Sequence, residues 1–567
     1  ATTNPGGTDW WDTVVNKTAL VQNHSLSVAG GSEQFVYNFS VGYYRNNSQF
    51  DVGYWDKINI RLNTEYTFNK YVKLGVDIAP RVESWDDTPN QFSAAMAMDP
   101  TTPVFRPQDQ WEDNEYNNYQ RSYNNQEWNP AGSIARSNAH SRELGAILNT
   151  YLQVNPIEKL TLRTQFGANA HYRRSDSFVP KFNMDPLEKQ DLNEITRRNQ
   201  EWFDWNWTNT ATYMDTFAEK HNLNVMAGFT AERFAWYNTQ ARRDNVPNNL
   251  DQMQEVNAGQ QGTDEANGET TYNTLVSFLG RVMYNYDNRY YISASDGSSR
   301  FPKGSKYALF PSVSASWRVI SEAFMQDQDI FSDLKLRGGW GRVGNQNINN
   351  NATLTLLSET QYYYGNTLAN GYFVSTVGNN QLKWETVEDW NVGVDMSFLD
   401  SRLGVTFEYF QKKSIDMLYQ KQNILSLGYD NWNSQIWMNI GSMQARGWEV
   451  GLTWRDEIGK DFSYDLGLNL SAVRNKAIKF SGDGPINVGG FNSDQIIRNE
   501  DGGFISRFYG YVADGLFQNW EEVYAHTDEH GTLIQPNAKP GDIRFKDRDH
   551  NGVLDANDKD YIGNPYP

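Results

Sequence analysis

Residues 57–68 read KINIRLNTEYTF, and their alternation decides the fold. Ile58, Ile60, Leu62, Tyr66 and Phe68 fall on one face, while Lys57, Asn59, Arg61, Asn63 and Glu65 fall on the other. Successive side chains of a strand point to opposite sides, so a two-residue period means a strand with one apolar and one wet face. The pattern keeps returning. Leu160, Leu162, Phe166, Ala168, Ala170 and Tyr172 oppose Thr161, Arg163, Gln165, Asn169, His171 and Arg173. Leu223, Val225, Ala227 and Phe229 oppose Asn222 and Asn224. Trp390, Val392, Val394, Met396 and Phe398 oppose Asn391, Asp395 and Ser397. Trp448, Val450, Leu452 and Trp454 oppose Glu449, Thr453 and Arg455, and Tyr464, Leu466, Leu468, Leu470 and Ala472 oppose Ser463, Asp465, Asn469 and Ser471. The expected strands are about 9 to 12 residues long, enough for a tilted crossing of a hydrocarbon layer; strands of soluble sandwiches run to about 5 to 6. Their aromatic residues cluster at the ends of the apolar face, where a bilayer interface favours them.

Connection lengths give the second signal. Short links such as 67–72, 154–160, 216–222, 398–403 and 455–462 alternate with long polar stretches at 84–142, 174–200, 236–270, 345–383, 414–432 and 476–567. Short turns on one side and long loops on the other is the layout of an outer-membrane barrel. The pattern accommodates about 14 to 18 strands. The expectation is an all-β chain, a transmembrane antiparallel β-barrel with long extracellular loops. Residues 1–475 carry the barrel strands, and 476–567 form a long extracellular loop region.

Composition narrows the function. The 567 residues exceed one ordinary globular core. Fifty Lys and Arg against 69 Asp and Glu give a net charge of −19, which argues against nucleic acid, whose phosphates need a basic surface. The chain has no cysteine, so disulfides, thiolate metal sites and a Cys nucleophile are excluded. The opening ATTNPGGTDWW shows neither the basic nor the apolar region of a secretory signal, and no apolar run is long enough for a membrane helix. Low mean hydropathy does not argue for solubility, because a barrel alternates lipid-facing with water-facing residues. Aromatics make up 14% of the chain, which suits aromatic girdles or sugar-stacking platforms equally.

The clearest local motif is Asp547-Arg-Asp549-His-Asn551-Gly552-Val553-Leu-Asp555-Ala-Asn-Asp558. It has the spacing of an EF-hand-like calcium loop: Asp547, Asp549, Asn551, Asp555 and Asp558 supply oxygens, Gly552 the turn and Val553 a carbonyl. Asp558 stands where the longer Glu is usual, and no amphipathic helices flank the loop, so the expected role is structural Ca²⁺ binding; the alternative is a solvated Asp/Asn turn. His526-Thr-Asp-Glu529-His530 matches a zinc-peptidase string, but Gly531 follows at once and a zinc site would need a helix presenting both imidazoles. Gly339-Trp-Gly341-Arg-Val-Gly344 matches a dinucleotide fingerprint, yet no helix is expected after it, and these glycines fit a strand thinned for close packing. No catalytic constellation emerges, so an enzyme is not expected.

Several strings resemble the SusC/RagA family of TonB-dependent outer-membrane transporters. Gly7-Thr-Asp9-Trp10-Trp11-Asp12 and Gln22 to Gly31 resemble the family's first barrel strand after its plug. Phe278-Leu-Gly-Arg281-Val-Met-Tyr284, Asp296-Gly297-Ser298-Ser299-Arg300-Phe301 and Phe310 to Arg318 resemble its mid-barrel signature, with Ser295 where the family usually has Arg. Leu334 to Gln346, Leu382-Lys383-Trp384-Glu385, Asn439 to Met443, and Pro540 through Pro565 are similar to further blocks. The resemblance implies a barrel of about 22 strands around a plug, of which this chain carries neither the plug nor the last strands. It implies an importer of large nutrients, oligosaccharides or peptides, in a Gram-negative outer membrane. It also implies a SusD-like lipoprotein lid and energy from TonB through an N-terminal segment outside this chain. A secreted β-rich glycan-binding or glycan-degrading protein and a passive porin are the alternatives.

Overall fold

The computed structural model describes residues 6–250, 254–287, 290–296, 305–422, 435–459, 461–480, 484–491 and 494–564. Gly297 to Phe301 and Pro565 of the family-like strings, and residues 423–432 of the expected 414–432 loop, lie outside them. The chain divides into two compact units, residues 1–213 with 227–277, and residues 214–226 with 278–567.

In the first unit, β1 (Val21–Gly31), β2 (Phe35–Asn47), β3 (Tyr54–Asn69), β4 (Val72–Asp86), β5 (Ala139–Ile157), β6 (Leu160–Val179) and β7 (Glu194–Phe217) each pair antiparallel with the next. β7, whose last residues Met214 to Phe217 belong to the second unit, and also β8 (His221–Asp244) and β9 (Glu265–Tyr286) have residues in both units. In the second, the end of β9 is followed by β10 (Tyr290–Asp296), β11 (Ser312–Arg318), β12 (Phe331–Asn345), β13 (Glu385–Phe398), β14 (Leu403–Ile415), β15 (Ser442–Ile458) and β16 (Phe462–Lys479), again antiparallel neighbour to neighbour.

Register explains the alternation. Phe39 lies opposite Leu62, Leu62 opposite Ile78, and Ile58 opposite Val82, which faces Leu144 and then Tyr172. In the second unit Val394 faces Phe407, Phe407 faces Val450, and Val450 faces Leu470. These apolar rows are exposed: Ile58 keeps 51% of its surface, Leu144 59% and Leu466 62%. A sandwich would bury them against a second sheet. The enclosed apolar clusters lie instead among connections and strand ends. Trp10, Val14, Phe50, Ala95, Met98 and Ile134 form one, Phe178, Ile195 and Val246 another, and Phe517, Val523 and Ala538 a third.

The strands exceed the expected length, reaching 20 residues in β6 and 24 in β7 and β8. Much of the stretch 174–200, expected as loop, is strand. Backbone pairing continues past the apolar band, where side chains no longer alternate, so periodicity stops reporting the strand before the ladder ends.

The connection between β4 and β5 contains α2 (Phe92–Ala97) and α3 (Pro130–Ala135), packed with α1 (Trp10–Val14). Proline at the first position suits α3, because that N–H has no intrahelical partner, and the Asn129 side chain accepts from Gly132 N–H at 2.9 Å. After β16, strands Ile486–Phe491, Asp494–Asn499, Arg507–Tyr511 and Lys559–Gly563 make a four-stranded sheet.

Candidate metal loop and polar surfaces

The metal-like loop lies between the short strand Ile543–Phe545 and Lys559–Gly563. It brings together Asp547, Asp549 and Asp558, whose ligand atoms all lie within 4.8 Å of one another. Among the described residues this is the grouping competent for a metal. Asp558 is fully buried; its Oδ1 accepts from Arg548 N–H at 2.7 Å and its Oδ2 from Asp555 N–H at 2.8 Å. Burial pushes its carboxyl up, but hydrogen bonds donated by the backbones of Asp555, Arg548 and Asp549 outweigh that and hold it below the usual range. Asp547 Oδ2 accepts from Gly552 N–H at 2.8 Å, while its Oδ1 is buried without a hydrogen-bond partner. Gly552 has φ +82°, and a Cβ there would stand 2.5 Å from Asp528 Oδ2, so both turn and packing need glycine.

The other expected ligands are placed differently. Asn551 turns its amide inward on the loop, accepting from Val553 N–H and donating to Asp549 Oδ2 at 3.0 Å. The Val553 side chain is exposed. Asp555 caps the turn Ala556–Asp558, accepting from Asn557 N–H at 2.7 Å. The zinc-like string does not converge: Glu529 and His530 are more than four-fifths exposed, and His526 lies against Phe517. The dinucleotide-like glycines lie within β12, where a Cβ at Gly344 would strike the Phe310 ring at 2.1 Å.

The polar faces of the strands carry cross-strand charge ladders. In the first unit Arg61 pairs with Asp77 at 2.5 Å and Lys57 with Glu83 at 3.4 Å. Buried Glu143 takes Arg81 at 3.0 Å, His171 at 3.1 Å and Arg173 at 2.8 Å. Beside them a cavity of about 520 Å³ is lined by Trp55, Glu83, Trp85, Asp86, Phe92 and Arg173. The indole N–H of Trp55 donates to Glu83 and that of Trp85 to Asp87, which fixes both rings. In the second unit Arg337 bridges Asp395 and Glu408, and a cavity of about 1560 Å³ is lined by Ser312, Ser314, Arg337, Asp389 and Asn391 among others. A hairpin of Leu356–Tyr364 and Thr367–Thr376 shows Tyr362, Tyr363, Tyr364 and Tyr372 to solvent, each at least 67% exposed.

Sequence reasoning missed the polar centres of the β4–β5 connection. Arg136 pairs with Glu188 at 3.0 Å, the two side chains 6% and 0% exposed, and Asn129 N–H donates to both Glu188 oxygens. Burial pushes Glu188 up and Arg136 down, each only partly offset by the other's charge. Asp99 accepts from Ser122 at 2.6 Å, Thr102 at 2.7 Å and Thr101 at 2.5 Å. Burial pushes its carboxyl up, but these hydroxyls and Asn124 win and hold it well below the usual carboxylate range. The one usable signal was Asn129-Pro130, a helix start inside a stretch expected as loop.

Comparison with known proteins agrees with this geometry. The model of the family described as "TonB dependent receptor-like, beta-barrel" matches residues 2–493. The chain is 24% identical over 570 residues to the TonB-dependent receptor P26 of Formosa agariphila, covering 99% of this chain and 55% of that protein. It is 26% identical over 587 residues to the TonB-dependent receptor SusC of Bacteroides thetaiotaomicron, covering 97% and 55%. The chain thus spans about half the length of the curated relatives it matches. Among solved structures, the RagAB peptide transporter superposes with a TM-score of 0.79 at 20% identity, over 99% of this chain and 60% of that one. Exposed apolar rows then face lipid and the charge ladders face the interior, as outer-membrane barrels require. The chain belongs to the TonB-dependent receptor-like β-barrel family, its likeness to SusC and to the RagAB transporter agrees with the SusC/RagA type, and it is an outer-membrane protein of a Gram-negative bacterium.

Proposed function

We propose that the full-length protein is an active importer of large nutrients, oligosaccharides or peptides, driven by TonB and working with a SusD-like surface lipoprotein as lid. The observation that carries this is the pairing of a lipid-facing wall with a charged interior face whose aromatic residues are fixed by carboxylates, as at Trp55 and Trp85. Such rings stack on sugars or side chains without losing rotamer freedom. Residues 476–567 serve as an extracellular loop region in this reading, and the exposed tyrosines of the 356–376 hairpin offer surface to lid or ligand. Growth on oligosaccharide or peptide mixtures as sole carbon source tests it: deleting the gene or TonB should abolish growth on one mixture. Growth that needs this protein but survives loss of TonB would instead assign passive diffusion.

The loop around Asp547, Asp549 and Asp558 is proposed to hold Ca²⁺ in a structural role. Three carboxylates share a site, and one buried oxygen of Asp547 lacks a protein donor; hard oxygen donors of this kind suit Ca²⁺. Asn551, Val553 and Asp555 of the expected set would have to turn to join them.

A further inference from the structure

The lipid-facing row of the first unit ends abruptly. Ile58, Val82, Leu144 and Tyr172 lie opposite one another across β3 to β6. Two residues further along each strand, on the same face, come Asp56, Ser84, Arg142 and Arg174, followed by Asn199 on β7. This level lies toward the long β4–β5 connection, away from the tight β5–β6 turn. In outer-membrane barrels short turns face the periplasm and long loops the outside, so the row sits where the outer-leaflet headgroups begin.

Arg142 and Arg174 are direct cross-strand partners, and both are exposed. Like charges set opposite each other destabilise a ladder, and a chain of net charge −19 has carboxylates to spare. Most of the nearby charges are already paired, and Asp176 takes both Nε and Nη2 of Arg174 itself. Arg45 pairs with Asp56 at 3.1 Å, and Asp86 holds His140 at 2.8 Å. Asp176 is shared by Arg174 at 2.9 Å and Arg197 at 2.5 Å, and Arg197 also takes Glu255 at 3.1 Å. Glu201 lies opposite Tyr172, one row nearer the apolar band. Arg142 donates to His140 Nε2 at 3.3 Å, and among the described residues it has no carboxylate partner. Just below, Leu144 and Tyr172 are 59% and 41% exposed, and the Tyr172 hydroxyl donates to Asn199.

We propose that Arg142 and Arg174 bind a phosphate group of an outer-leaflet lipid headgroup, with Leu144 and Tyr172 against its acyl chains. Guanidinium forks match phosphate oxygens in pairs, and one anion between the two arginines turns their repulsion into attraction. The site rests on the barrel's orientation in the membrane and not on what the protein imports.

The test uses the full-length transporter in detergent, titrated with bisphosphorylated lipid A, with bound lipid counted by native mass spectrometry. Replacing both residues, Arg142→Ala with Arg174→Ala, should lower occupancy roughly tenfold or more. Lipid A stripped of phosphate should bind the unmodified protein as weakly. Arg142→Lys with Arg174→Lys should keep part of the binding, and every variant must migrate as a folded, heat-modifiable barrel. Unchanged occupancy in the folded alanine variant, or equal binding of the dephosphorylated lipid, overturns the proposal. So does full displacement of lipid A by millimolar inorganic phosphate, which would assign the site to the free anion.

Discussion

Residues 87–138 close over Trp10, Phe50, Met98 and Ile134, all at most 6% exposed, whereas among the described residues of 484–564 the buried cluster is Phe517, Val523 and Ala538. Both regions look alike in sequence: polar, rich in Asn and Asp, without periodicity. The first nonetheless has an apolar core and polar groups that satisfy one another, including buried Arg136 with Glu188 and half-buried Asp99 with three hydroxyls. The second is ordered by turns in which carboxylates collect backbone N–H groups, and it leaves Asp547 Oδ1 without a donor. Order in the first is supplied by contacts between protein groups. Order in the second is expected to depend on a cation.

The largest expected effect breaks the first region. Glu188→Ala leaves Arg136 buried without its carboxylate, and removing one partner of a buried pair costs about 3–5 kcal/mol. Hydrogen exchange should then accelerate across residues 95–136 and leave residues 543–564 unchanged. Exchange unaltered in both would show that the pair does not clamp the connection. Next in size is removal of calcium. Ca²⁺ at a hundred times its dissociation constant should stabilise the loop by about 2.7 kcal/mol, so EDTA should speed exchange at 547–558 and spare 95–136. Equal sensitivity in the two regions would erase the distinction between them, and no response at 547–558 would remove the calcium site.

A smaller effect comes from acid on Asp99. Its folded-state carboxyl is held below its unfolded value, so its stabilisation is full above the ordinary carboxylate range near about 4. That stabilisation is lost as pH falls from there through the depressed value. Exchange near Ser122 and Thr102 should therefore rise on acidification below about pH 4, and Asp99→Asn should flatten that dependence. A profile identical in the variant would deny Asp99 the role.

The wall was legible in the sequence because lipid imposes one chemistry on every second residue. Ile58, Leu62, Leu162 and Leu468 lie on the exposed apolar face their spacing implied. The ladder beyond the band was not legible, since β6 and β7 continue to Val179 and from Glu194 by backbone pairing alone. The acidic cluster of the loop proposed to hold Ca²⁺ was half legible. Spacing marked Asp547, Asp549 and Asp558, but whether Asp555 faces a cation or caps a turn depends on local hydrogen bonds that spacing does not encode. The Arg136–Glu188 pair was not legible, because it joins residues 52 apart in two stretches that each looked solvated.

The most local comparison sets two caps of the same residue type side by side. Asn129 and Asn519 each cap a six-residue helix, α3 and Trp520–Ala525, with the side-chain oxygen accepting from the third N–H. Asn519 is exposed, and its companion Glu522 accepts from Gln518 N–H at 3.0 Å. Asn519→Ala should cost about 1 kcal/mol, the ordinary worth of a cap, because water can reach the freed groups. Asn129 is fully buried, and its amide also donates to Val104 at 3.0 Å and Gln120 at 2.8 Å. Asn129→Ala should therefore cost more than Asn519→Ala, by roughly the 1–3 kcal/mol of stranding buried acceptors. Local exchange at Gly132 and at Glu522 measures both. Equal losses would mean that water reaches the Asn129 site, and the contrast between a closed region and an open one would fail at its most local point.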